Sequence, residues 1–195
     1  MALKPPVEVP QGAIRLNTDS QKLEFYAQDQ WWQMATDVPT LDGGARGTFS
    51  GGHNPGYADR IDFITISTAG NATDFGNLTL GRSASGSVAS RTRGLQGGGY
   101  SGSNSDVIDY WTIASTGDAI DFGDLLGTGH WTQPTSSATR GIWAGGNNIG
   151  NVIQYVTMAS LGDAVDFGDM SYTTAVSSNS SAQSPTRGIL GGGTP

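Results

Sequence analysis

The chain has 195 residues, a net charge of −7, no cysteine and 30 glycines, the last about twice the usual share. Two lysines, Lys4 and Lys22, leave no basic cluster to neutralise phosphates, so nucleic acid is excluded as a partner, and without thiols there are no disulfides and no thiolate metal site. No stretch carries a long 3.6-residue apolar period, no run of 18 apolar residues exists to insert in a membrane, and the opening MALKPPVEVP lacks the apolar core of a secretory signal.

In chain order, residues 1–11 hold Pro5, Pro6 and Pro10 and predict an extended arm. Residues 12–40 open with GAIRLNTDSQKLEFYAQDQWWQM, a segment of its own character with Tyr26, Trp31 and Trp32. From residue 41 an internal repeat takes over. Arg-Gly recurs at Arg46, Arg93, Arg140 and Arg187, each step 47 residues. Five residues after each Arg comes a glycine pair, at Gly51-Gly52, Gly98-Gly99, Gly145-Gly146 and Gly192-Gly193. Then follow RIDFITISTAGNATDFGNL, VIDYWTIASTGDAIDFGDL and VIQYVTMASLGDAVDFGDM, with aromatics at Phe63, Tyr110 and Tyr155 and Asp-Phe-Gly triplets from Asp74, Asp121 and Asp166. One interval shortens from 47 to 45 residues and the next linker lengthens by two, which surface loops tolerate.

Each repeat predicts short strands. RGIWAGG reads as a small-residue strand ending where glycines allow a positive φ or a close approach. A β-branched and aromatic strand follows, as over Ile61–Ser67, then a tight hairpin turn at the Gly-Asn or Gly-Asp, then the strand through Asp-Phe-Gly. TQPTSSATR offers a fourth strand. The boundaries fall at about 41–80, 81–127, 128–172 and a half-repeat 173–195. Four antiparallel strands per 47 residues is the size of one propeller blade. The half-repeat and KLEFYAQDQWWQM predict a composite fourth blade made from both ends, with ring closure between chains as the rival.

These residues resemble the Kelch repeat family. Gly98-Gly99, Tyr110 and Phe122 follow the family's order of glycine pair, aromatic and second bulky aromatic. Phe stands where the family usually has Trp. The fold the resemblance implies is all-β, a Kelch-like β-propeller. Residues 12–34 in turn resemble a short β-hairpin module of tailed-phage structural proteins, tail fibres in particular, and the repeat cores resemble repeats of cyanophage-type virion proteins. Together the resemblances imply a non-enzymatic structural protein of a phage particle, made in the host cytoplasm and carried in the virion. Two places in the particle compete, a tail fibre or adhesin contacting the host and a capsid decoration or head-fibre protein; a sugar-active enzyme is the alternative of another class. The implied partners are other virion proteins through the arm, further copies of the chain, and a host-surface glycan or protein.

The chemistry expected of the residues is structural. Asp-Phe-Gly matches a kinase metal-binding triplet in letters alone, without a phosphate loop, a strand lysine or His-Arg-Asp. Its recurrence in register predicts a structural role for Asp74, Asp121 and Asp166, capping turns or pairing with arginine, with Arg93, Arg140 and Arg187 as the expected partners and Arg46 as their fourth counterpart. His53 and His130 stand alone, without ligand spacing, and neither a catalytic set, a cofactor nor a metal is expected. The loops after the glycine pairs vary, and Tyr57, Tyr100 and Asn147 are the candidate contacts on one rim, where aromatic rings beside Asn, Ser and Asp suit a saccharide or a protein surface. Trp131 and Trp143 are expected to fill the spaces between blades.

Overall fold

The structure, a computed structural model, describes residues 9–18, 22–34, 46–172, 180–184 and 186–191. Among them every regular element is a β-strand, sixteen in all, and there is no helix and hence none long and apolar enough to cross a membrane. The chain divides into two compact units, Met1–Thr40 and Leu41–Pro195. The arm expected over residues 1–11 lies almost wholly outside the described residues.

In the first unit, β1 (Ile14–Asn17), β2 (Lys22–Ala27) and β3 (Gln30–Gln33) form one antiparallel meander. Gln28 and Asp29, with φ of +52° and +60°, make the two-residue turn that the right-handed twist of paired strands favours. Strand alternation splits the side chains cleanly. The register sets Ile14 opposite Phe25, Leu16 opposite Leu23 and Phe25 opposite Trp32, and all five are exposed on one face. On the other face Arg15 pairs with Glu24 at 2.8 Å and lies 4.1 Å over the Trp31 ring, which Tyr26 meets edge-on at 5.3 Å. A hydrogen bond from Asn17 and the Arg15 guanidinium hold the Glu24 carboxyl below its ordinary pKa.

In the second unit the repeats become sheets. β4 (Arg46–Ser50), β5 (Arg60–Thr65) and β6 (Thr73–Asn77) form the first. β7 (Gly86–Ala89), β8 (Arg93–Tyr100), β9 (Asn104–Thr112) and β10 (Ile120–Asp124) form the second. β11 (Gln133–Ser136), β12 (Arg140–Gly146), β13 (Gly150–Thr157) and β14 (Val165–Asp169) form the third. β15 (Ser180–Gln183) and β16 (Gly188–Gly191) pair as a fourth, partial sheet. All are antiparallel meanders. The fourth strand expected in TQPTSSATR is β11. At the glycine pairs of the second and third sheets the ladder shifts register, and Gly51, Gly98 and Gly145 have φ of +72°, +68° and +57°.

Packing between sheets follows one template, used twice. From the first sheet to the second, the N–H groups of Gly117 and Ala119 donate to the carbonyls of Phe75 and Asn77 at 2.8 and 2.7 Å. From the second to the third, Gly162 and Ala164 donate to Phe122 and Asp124 at 2.9 and 2.7 Å. Asp118 and Asp163 each return a carboxylate oxygen to the N–H of Asn77 and Asp124. The hairpin turn expected at Gly-Asp is therefore a longer loop whose donors serve the neighbouring sheet rather than its own strands. Glycine is required at this seam: Gly76 and Gly123 have φ of +154° and +144°, and a Cβ on Gly123 would stand 2.6 Å from the Gly162 backbone.

The core sits in these seams. Ile61, Phe75, Leu78, Trp111 and Ile113 fill the first, and Val88, Leu95, Ile108, Phe122, Trp143, Val156 and Met158 belong to the larger second cluster. Trp143 takes the place expected of it, with its indole N–H donating to the Gly86 carbonyl at 2.9 Å. The strands β7, β11 and β15 stand side by side and, with Thr48 and Trp111, border a hydroxyl-rich crevice of about 470 Å³. β1–β3 form a sheet of their own, and β15 and β16 pair with each other.

Candidate functional site: an aromatic row across the loops

The loops after the glycine pairs and those entering β7 and β11 lie at the same strand ends, and there five ring side chains gather. His53 stacks on Tyr57 with ring centroids 4.8 Å apart, Tyr57 meets Tyr100 at 5.8 Å, Tyr100 meets His130 at 5.4 Å, and His130 meets Trp131 at 4.4 Å. Five rings thus run unbroken across loops contributed by all three sheets. Tyr57 is 37% exposed, and Tyr100, His130 and Trp131 are half-buried, so the row is both anchored and accessible.

Main-chain bridges hold the loops in line. Tyr100 exchanges hydrogen bonds with Ser83, and Asn147 donates its N–H to the His130 carbonyl at 2.8 Å. Asn148 reaches the Thr128 carbonyl at 3.3 Å. Trp131 has φ of +59°, a left-handed conformation that costs a bulky residue on the order of 1–2 kcal/mol and that turns its ring onto His130. Ala84, one repeat earlier, has the same backbone at φ +56°, so the loop shape belongs to the repeat while the indole belongs to this position. Burial pushes the His130 imidazole below its ordinary pKa. The His130 Nδ1 lies 2.8 Å from Asn104 Oδ1, within hydrogen-bond distance.

Of the three loop residues expected from the sequence, the structure brings Tyr57 and Tyr100 together and sets Asn147 against His130 through the backbone. The sequence missed His53, His130 and Trp131 as members. Both histidines read as isolated because their neighbours are distant in the chain, and Trp131 was expected between sheets. The one available signal was that Gly129-His130-Trp131 occupies the loop register of Arg82-Ser83-Ala84.

The arginines depart from expectation. Arg93 does not reach Asp74 or Asp121. Its guanidinium lies 4.9 Å over the Tyr110 ring and donates to the Met158 carbonyl of the next sheet at 2.8 Å. Arg46 does the same over Phe63, at 4.8 Å, toward Ile113 at 2.9 Å, and Arg140 lies 4.5 Å over Tyr155. No ion pair joins Arg140 or Arg187 to Asp121 or Asp166 among the described residues. The reason is direction: Arg93 reaches forward to the Met158 carbonyl of the sheet that follows, whereas its expected partner Asp74 lies on β6 of the sheet before it. The Asp166 carboxylate accepts the Gly168 N–H at 2.9 Å, and Asp74 lies 3.9 Å from Arg60 at the surface.

A row of rings flanked by Asn and His offers flat apolar faces with hydrogen-bonding edges, which is the chemistry that grips the C–H face of a sugar or an extended protein segment. No protein-family model matches this chain, and no curated protein matches its sequence.

Proposed function

We propose that the chain is a non-enzymatic structural protein of a tailed-phage particle, a Kelch-like propeller segment whose aromatic row contacts the host surface as part of a tail fibre or adhesin. The observation that carries this reading is the continuous series His53, Tyr57, Tyr100, His130 and Trp131, built across three repeats rather than within one. Repeats whose backbones coincide while their loops diverge suit a binding edge. The tail-fibre-like sequence of residues 12–34, folded as a meander, supports the same placement.

Gold-labelled antibody against residues 41–195 on purified virions tests the placement, and a glycan array read with the full chain and with Tyr57→Ala and Tyr100→Ala tests the contact. Label at the distal tail, with array signal lost in both variants, is the expected result. A second reading, a capsid decoration or head-fibre protein, is favoured by the exposed apolar face of Ile14, Leu16, Leu23, Phe25 and Trp32, which suits docking on another particle protein. Label over the head, with no array signal, would replace the first reading with the second.

A further inference from the structure

The seam made twice inside the chain has a third, open instance. Phe75 and Phe122 are each 3% exposed beneath the sheet that follows them, whereas their counterpart Phe167 is 54% exposed. Arg46 and Arg93 donate to carbonyls of the following sheet, whereas Arg140, stacked on Tyr155 in the same manner, reaches no carbonyl among the described residues. A Cβ on Gly168 would meet nothing within 4 Å, where those on Gly76 and Gly123 would strike the next loop.

The opposite end of the series carries the matching half. Ile66 is 67% exposed, while its counterparts Ile113 and Met158 are 8% and 2% exposed. Phe49 is exposed where Gln96 and Trp143 are fully buried, and Ala72 is exposed where Ala119 and Ala164 are buried. The strands complement one another as well. The sheet β4–β5–β6 lacks, among the described residues, the first strand that β7 supplies to β8, and β15 is such a first strand, packed on β11 as β11 packs on β7.

We propose that the trailing edge of the third sheet docks the leading edge of the first sheet of a second copy of this chain. In that contact Arg140 donates to the Ile66 carbonyl, the N–H groups of Gly70 and Ala72 donate to the carbonyls of Phe167 and Asp169, and Asn71 accepts from the Asp169 N–H. Each bond copies one already made twice inside the chain. The incoming β4 takes the place of β16, so that β15 becomes the fourth strand of the incoming sheet. The exchange replaces one short antiparallel pairing with another of the same register. The aromatic and aliphatic burial at Phe167, Ile66 and Phe49 then drives association. A second copy is favoured over closure within one chain by ring size. Arg46 to Arg187 spans three steps of 47 residues. With β15 given to the incoming sheet, each copy contributes three full sheets, below the four to eight of closed propellers, and two copies supply six. The proposal stands independently of where in a particle the protein sits.

The chain has no cysteine, so introduced thiols report without background. Asp169→Cys and Asn71→Cys, made as separate full-length variants and mixed under mild oxidation, are expected to form a mixed disulfide in excess of either homodimer. Asp124→Cys/Asp163→Cys calibrates the geometry inside one chain. Light scattering of the unmodified chain is expected to give the mass of two copies. Phe167→Asp, which alters a side chain exposed in the single copy, is expected to give the mass of one with an unchanged circular dichroism spectrum. A one-copy mass for the unmodified chain at high micromolar concentration would overturn the proposal. So would a disulfide formed within one chain by Asn71→Cys/Asp169→Cys at one-copy mass.

Discussion

The two internal seams share a backbone and differ in what fills them. Between the first and second sheets a buried polar network sits beside the apolar cluster. Arg82 and Asp109, both fully buried, pair at 3.0 Å; Asp109 accepts the Thr79 hydroxyl at 2.5 Å, and Arg82 donates to the Gln96 carbonyl at 3.0 Å. Gln96 itself bridges Ser50 and Ser85. Between the second and third sheets Trp143 occupies the position of Gln96, Gln154 that of Asp109, and Gly129 that of Arg82. There the Gln154 carbonyl oxygen accepts the Leu126 N–H at 2.7 Å, which is what Asp109 does for Thr79 in the polar seam. Burial lowers the Arg82 pKa and Asp109 opposes the shift, so the pair stands or falls together. Main-chain bonds thus fix the spacing of the sheets, while the buried side chains differ: Gln96 with the Arg82–Asp109 pair in one seam, Trp143 with Gln154 in the other.

The comparison breaks first at its fillers. Asp109→Ala leaves the Arg82 guanidinium buried without its counter-charge and is expected to cost about 3–5 kcal/mol in urea unfolding, whereas Arg82→Met/Asp109→Leu, which removes both charges, is expected to stay near wild type. Trp143→Ala in the other seam is expected to cost a similar ~3–5 kcal/mol through the cavity it leaves against Gly86 and Gly97, which pack directly on the ring. If both single variants proved neutral, neither seam would hold the sheets.

A smaller effect sharpens the shared part. Arg93→Ala removes a charged hydrogen bond to the next sheet and is expected to cost about 1.5–3 kcal/mol, and Arg140→Ala much less in the single copy, because the carbonyl it would reach is not on its own chain. Equal losses in denaturant titrations of the two would contradict the seam template. The smallest expected effect is at His130. Its pKa is lowered in the folded protein, so the unfolded chain binds the proton more readily. The stabilising contribution is present above the unfolded value near 6.5 and declines as pH falls below it. Denaturation midpoints at pH 7 and pH 5 are expected to differ more for the wild type than for His130→Gln.

Much of the fold was legible because the repeat is written in the backbone's own needs. The glycine pairs mark positive φ, alternating Ile, Tyr and Thr mark β5, β9 and β13, and the recurrence of Asp-Phe-Gly in register marks a structural triplet. What escaped reading depends on direction across strands and between sheets. A pattern of Arg and Asp on one chain does not say which neighbouring sheet each side chain faces, nor that the nearest acceptor is a carbonyl one sheet away. The donors of Gly117 and Gly162 read as hairpin chemistry because a turn's sequence carries no mark of which sheet its N–H groups face. The aromatic row escaped for the same reason: His53, Tyr100 and Trp131 become neighbours only once three sheets are stacked. Arg82 and Asp109, 27 residues apart in the chain, carry no local signature at all.

Amide hydrogen exchange followed by NMR at two protein concentrations tests the repeated seam most directly. The account predicts strong protection at Gly117, Ala119, Gly162 and Ala164 at every concentration, and protection at Gly70 and Ala72 that appears only as the concentration rises. Fast exchange at Gly117 and Gly162 throughout, or protection of Gly70 and Ala72 that does not change with dilution to the single copy, would contradict it.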